Sequence, residues 1–434
     1  MLKHIGRRSL LASSAALVIV LAISGRAAAE DVAISFLSTN QPNSVAVAEE
    51  FKAQFEAANP NIKIEIEYRP GGGDGDNIIK TRLATGEMSD VFTYNSGSLF
   101  QAMNPGDTLV DMSSEPWQAN VLDSYKSVVT ANDGTVRGGP LGAAMGGGIL
   151  YNIPIYKELG LSIPKSWDEF MANNEKIKAA GKDPVIQTFG TTWTSQLFVL
   201  GDFFNVLAEV PDFATEYTAN RAKYATTPAA MKGFVRQEDI YKSNYLNEDF
   251  QAATFEEGVM KVATGEGAHY PMLTFAVSTI QQIAPEHIGD VGFFAIPGDS
   301  TASNGLTTWM PDGVYIPKTT TGAKLEAAKK FVAFIESTDG CAAYVKAAGA
   351  TGPFLVKGCA LPTDVPPVVA DLLPYFQQDG TSAPALEFLS PIKGPALEQI
   401  TVEVGSGIRS AADAAALYDE DVKKQAQQLG IAGW

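Results

Sequence analysis

Histidine and cysteine are scarce in this chain of 434 residues, which contains three histidines and two cysteines. Only His269 and His287 follow residue 29, and the sequence has neither an H-E-x-x-H motif nor a G-x-S-x-G nucleophile elbow. Too few histidines are therefore present to favour histidine-based metal binding or nucleophilic catalysis. We predict no metal and no cofactor. A glycosidase that uses a pair of carboxylates remains an alternative, because Asp and Glu are plentiful and a sequence does not show the distance between two carboxylates.

Positive charge is also in short supply. The chain has 32 Lys and Arg residues against 49 Asp and Glu residues, which gives a formal charge of −17. Nucleic acids and anionic membrane surfaces repel such a protein. We therefore predict no nucleic-acid partner and no direct insertion into a membrane.

Long apolar runs are confined to the N-terminus. Residues 1–29 combine basic residues, an apolar run over residues 10–23 and a small-residue cleavage site, the pattern of a signal peptide. A retained anchor is the weaker alternative, because the run is shorter than the roughly 20 residues that a spanning helix needs. We predict cleavage before Glu30, which removes four basic residues and changes the formal charge from −17 to −21, and a periplasmic location.

The two cysteines, Cys341 and Cys359, lie downstream of this export signal, so they reach a compartment where disulfides persist. We predict a disulfide between them. Two buried thiols are the alternative, because spacing along the chain does not show whether the Cα atoms come within reach.

Strand and helix patterns alternate over residues 32–95. An apolar run at residues 32–37, the alternation in IKIEIEY at residues 62–68 and the run DVFTYN at residues 90–95 predict three strands, with helical periodicity between them. This order favours a parallel sheet covered by helices. Similar patterns return after residue 146, and the chain is too long for one small core, so we predict two α/β lobes.

The stretch PGGGDGDN, residues 70–77, poses the question of a phosphate-binding loop. A Walker loop needs lysine and a hydroxyl residue after its last glycine, and the dinucleotide fingerprint needs glycine where Asp76 stands. Two aspartates would also repel phosphate. We predict a flexible turn in which Asp76 or Asn77 caps the next helix.

Several aromatic residues lie near predicted turns or element ends. A sugar offers an apolar C–H face for stacking and a rim of hydroxyls for hydrogen bonds. Trp193, Tyr270 and Trp309 are the best candidates for such stacking, whereas Trp117 fits a structural role better; core packing remains the alternative for each. Polar residues beside strands can supply the rim, although turn formation also explains them: Asn40, Asn95 and Asp312.

Six segments form a family pattern that is specific when they occur in this order behind a signal peptide. They are FKAQFEAANPNIKIEIEY, KTRLATGEMSDVFTYNSG, GILYNIPIYKELGLSIPKSWDEF, FEEGVMKVATGEGAHY, IPG and AAKKFVAFIES. With these segments the chain resembles the extracellular solute-binding proteins of carbohydrate ABC importers, and its layout is similar to that of maltose-binding protein. The resemblance covers essentially the whole mature chain. Two residues depart from the family pattern, since Ser89 replaces a usual proline and Tyr270 a common tryptophan.

The resemblance implies an α/β periplasmic binding protein fold of the Venus-flytrap kind, with two discontinuous lobes joined by a hinge. The implied N-terminal lobe comprises residues 30–145 and about 305–350. The implied C-terminal lobe comprises residues 146–304 and about 351–434.

It also implies a ligand site in the cleft. Polar contacts after the first and third strands carry over to Thr39, Asn40, Gln41, Asn95 and Ser96. Stacking residues of the second lobe carry over to Trp193 and Tyr270, and further to Trp309 with Asp312.

The implied function is binding of a sugar, closure of the lobes and delivery to the transmembrane permease subunits of an ABC importer, by a monomeric protein. A polyol or a glycerophosphodiester is an alternative cargo, and the phosphorylated kind would need basic groups in the cleft, for which Lys80 and Arg82 are the nearest candidates. A secreted carbohydrate-active enzyme and a purely structural envelope protein are rivals from other classes.

Overall fold

The computed structural model describes residues 31–301 and 304–434, so the predicted signal peptide lies outside the described residues. The strands in these ranges are β1 Val32–Thr39, β2 Ile62–Arg69, β3 Val91–Tyr94, β4 Gly138–Pro140, β5 Met145–Asn152, β6 Asp183–Val185, β7 Gly267–Leu273, β8 Val291–Ala295, β9 Leu306–Trp309, β10 Gly313–Tyr315 and β11 Ser382–Pro384. None of the helices in these ranges combines the length and apolarity that crossing a membrane requires.

The α-helices alternate with these strands and cover both sheets. They are α1 Pro42–Ala58, α2 Gly72–Thr85, α3 Ser98–Gln101, α4 Pro105–Thr108, α5 Asp123–Val128, α6 Ile153–Leu159, α7 Trp167–Ala179, α8 Leu197–Leu200, α9 Phe203–Glu209, α10 Phe213–Thr218, α11 Pro228–Lys242, α12 Phe255–Thr264, α13 Ala276–Ile283, α14 Gly322–Ile335, α15 Thr338–Ala348, α16 Pro367–Leu372, α17 Pro374–Gln377, α18 Leu386–Leu389, α19 Leu397–Gly405 and α20 Ala411–Gln428. Short 3₁₀ helices span Pro116–Ala119, Thr192–Gln196 and Pro285–His287.

The first sheet has the strand order β2-β1-β3-β10-β4. Its strands β1, β2 and β3 are parallel, which confirms the prediction made from residues 32–95. Strand β10 inserts antiparallel between β3 and β4 from a distant part of the chain. Aromatic rings fill the core behind the sheet, where Phe331 of α14 meets Phe36 and Phe55 at centroid distances of 5.2 and 5.1 Å.

The second sheet has the order β11-β9-β5-β7-β6, and β8 also pairs with β5. Strand β5 is its centre: β7 runs along one side, while β9 and β8 share the other side. Buried apolar residues from α12, α13 and α16 pack on this sheet. The chain thus forms the two α/β halves that the sequence patterns predict.

The strand pairings correct the predicted lobe boundaries. Strand β9, which a boundary near residue 305 placed in the N-terminal lobe, pairs with β5 and β11 of the second sheet, so that boundary is wrong. The boundary near residue 350 is too early, since Val356 still pairs with Val121 beside the first sheet. We propose an N-terminal lobe of residues 31–140 and 313–357 and a C-terminal lobe of residues 145–309 and 367–434.

A disulfide joins Cys341 of α15 to Cys359, with a Cα–Cα distance of 5.9 Å, as predicted. It ties the end of the N-terminal lobe to the segment that leaves for the C-terminal lobe. The bond therefore restrains the chain close to one of its passages between the lobes.

Replacing both cysteines by serine should lower the free energy of unfolding by about 3 kcal/mol, because a cross-link over this loop removes conformational entropy from the unfolded chain. The two residues are 18 apart in sequence. Urea unfolding of the oxidised protein and of the double-serine variant measures the difference, with the reduced wild-type protein as a control that should match the variant. Equal stability of all three would contradict the prediction.

Candidate functional site

A cavity of about 240 Å³ lies between the two lobes. Strands β1, β2 and β3 are parallel, so their carboxyl ends meet at one edge of the first sheet, the usual position of ligand sites in open α/β sheets. The C-terminal lobe faces this edge with the 3₁₀ helix Thr192–Gln196 and with the chain around α18 and α19. The segment 310–312, which joins β9 to β10, lines the cavity as well.

Most residues predicted for the ligand site line this cavity. They are Thr39, Gln41, Asn95, Ser96, Trp193, Trp309 and Asp312. Four of them lie at or just after the ends of β1 and β3, the positions that the family resemblance implied. Their role as ligand contacts stays a prediction.

Two predicted site residues are wrongly placed. Tyr270 is fully buried in the core of the C-terminal lobe, and its hydroxyl forms a hydrogen bond of 2.7 Å with Thr188 Oγ1. The reason is that Tyr270 lies within β7, an interior strand whose face is covered by α12. Asn40 continues the pairing of β1, where its backbone N–H donates to the carbonyl of Arg69 at 2.8 Å, and it is exposed and does not line the cavity.

Two indole rings lie in the cavity wall. Trp193 is partly exposed and packs against Phe255 and Phe275, with centroid distances of 5.4 and 6.1 Å. Trp309 of β9 is more deeply buried, and its Nε1–H donates to Glu387 Oε1. The cavity therefore offers apolar faces next to hydrogen-bonding groups.

The glycine stretch at residues 70–77 is part of this wall, and its predicted role is wrong. Helix α2 begins at Gly72, so Asp76 lies in its second turn, where it lines the cavity instead of capping the helix. Gly72 has φ of +67°, and a β-carbon there would lie 3.2 Å from Trp193 Cδ1. A β-carbon at Gly75 would collide with the Pro70 carbonyl and the Arg69 guanidinium, so glycine here makes room for both neighbours.

Arg69, at the end of β2, is the central cation of the N-terminal lobe. Its guanidinium is buried and donates to the carbonyls of Pro70 and Thr93, both at 3.1 Å. Burial raises the pKa of Asp312 to about 6, and the charge of Arg69 opposes this shift. Burial likewise raises the pKa of Asp76, against the attraction of nearby cations that include Arg69.

The C-terminal lobe contributes a second charged group. Lys393 forms an ion pair of 3.1 Å with Glu387, the same carboxylate that accepts from Trp309. Glu398 accepts from the Thr192 hydroxyl at 2.7 Å and lies beside the start of α2 in the other lobe, where a β-carbon on Gly73 would be 3.8 Å from its Oε2; burial raises the pKa of Glu398. Together the cavity has four carboxylates and two cations: Asp76, Asp312, Glu387, Glu398, Arg69 and Lys393.

Several polar atoms in the cavity wall have no hydrogen-bond partner. Among the described residues, Asn43 Oδ1, Arg69 Nε and Gln196 Oε1 are buried and have no partner. All three side chains line the cavity. An unpartnered buried polar atom costs about 1–3 kcal/mol, so a guest rich in hydroxyl groups would relieve this cost.

Sequence reasoning missed most of the charged groups. Arg69 and Asp76 carried a weak signal, since they flank or interrupt the glycine stretch next to a predicted strand end. Glu387, Lys393 and Glu398 carried none, because they follow β9 by many residues and only the fold brings them to the cavity. No cluster of three or more metal-ligating side chains occurs in residues 31–301 and 304–434.

Asp312→Asn should stabilise the ligand-free protein at pH 7.5. The pKa of Asp312 in the folded protein, about 6, exceeds the ordinary value of 3.8, so the folded state binds this proton more tightly and loses stability as pH rises from about 4 to about 6. The variant escapes this loss, which is at most about 3 kcal/mol.

Urea unfolding between pH 4 and pH 7.5 measures the effect. The stability difference between the variant and the wild type should be small at pH 4 and reach its maximum above pH 6. Replacing the exposed Asp379 by Asn controls for the loss of one negative charge. A difference that does not change with pH would refute the assigned titration.

Comparison with known proteins agrees with this architecture. The multiple sugar-binding protein of Streptococcus mutans is 26% identical over 313 residues, which cover 70% of each chain. The solved structure of a chitin oligosaccharide binding protein superposes with a TM-score of 0.79 at 20% identity, covering 91% of this chain and 99% of that one. The solute-binding protein RafE in complex with raffinose gives a TM-score of 0.73 at 22% identity, covering 92% and 99%.

These structural likenesses show the fold. A family match extends over residues 38–340, which is more than half of the chain. On that match, the chain belongs to the bacterial extracellular solute-binding proteins.

Proposed function

We propose that this protein binds a neutral carbohydrate in the periplasm and delivers it to the transmembrane permease subunits of an ABC importer. One observation carries the proposal: a cavity lined from both lobes, in which indole rings adjoin a dense set of hydrogen-bonding groups. A sugar needs this combination, because its C–H faces stack on aromatic rings while its hydroxyls both donate and accept. The names of the Streptococcus mutans and RafE relatives, which concern sugars, support the same class of ligand.

Closure of the lobes is the proposed signal to the permease. Trp193 and the Glu398 carboxylate lie against Gly72 and Gly73, so the C-terminal lobe contacts the start of α2 directly. Contacts that require both lobes favour the closed arrangement, and a ligand that bridges the lobes shifts the population further. A monomer suffices for this mechanism.

Charge argues against a glycerophosphodiester as the cargo. The cations that line the cavity are Arg69 and Lys393, which lie beside carboxylates, and the carboxylates outnumber them. Lys80 and Arg82 do not line the cavity, and Arg82 instead pairs with Glu67 at 2.7 Å. A phosphate would meet net negative charge, so a sugar or a polyol fits better.

The central experiment separates a binding protein from a carbohydrate-active enzyme. The purified protein is incubated with neutral sugars and polyols, its thermal unfolding is recorded, and each ligand is recovered and analysed by chromatography. We expect stabilisation with unchanged ligand, and about 2.7 kcal/mol at 100 times the dissociation constant. Product formation would favour the enzyme, and the absence of any response would favour the structural envelope protein.

Trp193→Ala should weaken binding of the best sugar at least about tenfold, because the variant loses a stacking face. Isothermal titration calorimetry measures the change. Trp434→Ala is the matched control, since Trp434 is a partly exposed tryptophan of the same lobe that packs near Tyr217 and Thr218, outside the cavity wall. Equal affinity of the two variants would remove Trp193 from the site, as would a Trp193→Ala protein that no longer folds.

A further inference from the structure

We propose that the cavity takes a single sugar ring and not a chain of three or four rings; this rests on the proposed function. The volume is the first argument. A cavity of about 150 Å³ holds one benzene molecule, and a hexopyranose has about twice as many non-hydrogen atoms. The 240 Å³ available here is about 1.6 times the volume of the benzene cavity, which is room for about one ring and far less than two or more rings need.

The contacts between the lobes supply the second argument, because they close the cavity on one side. Trp193 lies against Gly71 and Gly72, and Glu398 reaches Gly73. A further ring that passed this point would have to displace the indole from the start of α2. The helix start and the 3₁₀ helix therefore form an end wall.

A second wall lies at α18. The backbone carbonyl of Glu387 and the ring of Phe388 approach Gly97, before α3, so closely that a β-carbon at Gly97 would collide with both. Phe388 also packs against the core of the N-terminal lobe. The links between the lobes, which include Leu141 and Asp312, occupy another part of the lining.

The polar groups are arranged for one ring. Arg69, Asp76 and Asp312 all line the cavity at the strand-end edge, where a β-carbon on Gly75, next to Asp76, would lie 2.5 Å from the Arg69 guanidinium. Lys393 and Glu398 line the same cavity from the opposite lobe. One such group of charged side chains matches the hydroxyls of one pyranose. A longer sugar chain needs several groups of polar side chains, one after another along a groove.

The test is a calorimetric panel with neutral pentoses and hexoses, disaccharides built from them, raffinose and stachyose. We expect one monosaccharide to bind at least about tenfold more tightly than any di-, tri- or tetrasaccharide, a difference of about 1.4 kcal/mol. Tighter binding of any longer sugar would overturn the single-ring proposal and leave the proposed function intact. A panel in which no sugar of any length binds would overturn both.

A pair of neighbouring variants tests the wall itself. Phe388→Ala removes a ring from the cavity wall, whereas Leu389→Ala changes an exposed side chain next to it. The preference for a monosaccharide over its disaccharide should fall about tenfold in Phe388→Ala and persist in Leu389→Ala. An unchanged preference in both variants would show that Phe388 does not limit ligand length and would overturn this part of the proposal.

Discussion

The site depends on one constraint, the way in which short links carry the chain between the two sheets. Residues 141–144 join β4 to β5, and residues 310–312 join β9 to β10. The second link leaves β9 at Trp309 and enters the first sheet at Gly313, so it must pass the edge where β1, β2 and β3 end. This passage places Asp312 within reach of the charge of Arg69, and it lets strand ends of both lobes share one cavity.

The same arrangement lowers the stability of the ligand-free folded protein. Burial raises the pKa of Asp76, Asp312 and Glu398, which means that each carboxylate is less well solvated in the folded state than in water. The buried Nε of Arg69 adds a donor without a partner among the described residues. Features that disfavour the ligand-free fold and converge on one cavity are typical of binding sites, where the ligand supplies the missing interactions.

Local patterns could predict what depends on neighbouring residues. The alternation in residues 62–68 predicted β2, whereas the prediction that Thr39 and Asn95 line the cleft came from the family resemblance. Tyr270 misled the prediction, because whether a ring in β7 faces helix α12 or the cleft depends on the whole sheet. The boundary at residue 305 failed for a similar reason, since the pattern of a four-residue strand does not show which sheet it joins. The position of Glu398 in the cavity wall could be recognised only from the complete fold.

The glycine stretch shows why a motif can suggest the wrong ligand and still mark the site. A helix start offers free N–H groups and the positive end of the helix dipole, which is why nucleotide-binding proteins place phosphate there. Here the carboxylate of Glu398, from the opposite lobe, lies beside Gly72 and Gly73 at the start of α2. The anion beside the helix start is thus part of the protein. The stretch that resembles a phosphate loop therefore lies against a carboxylate of the other lobe, which a phosphate at this helix start would have to displace.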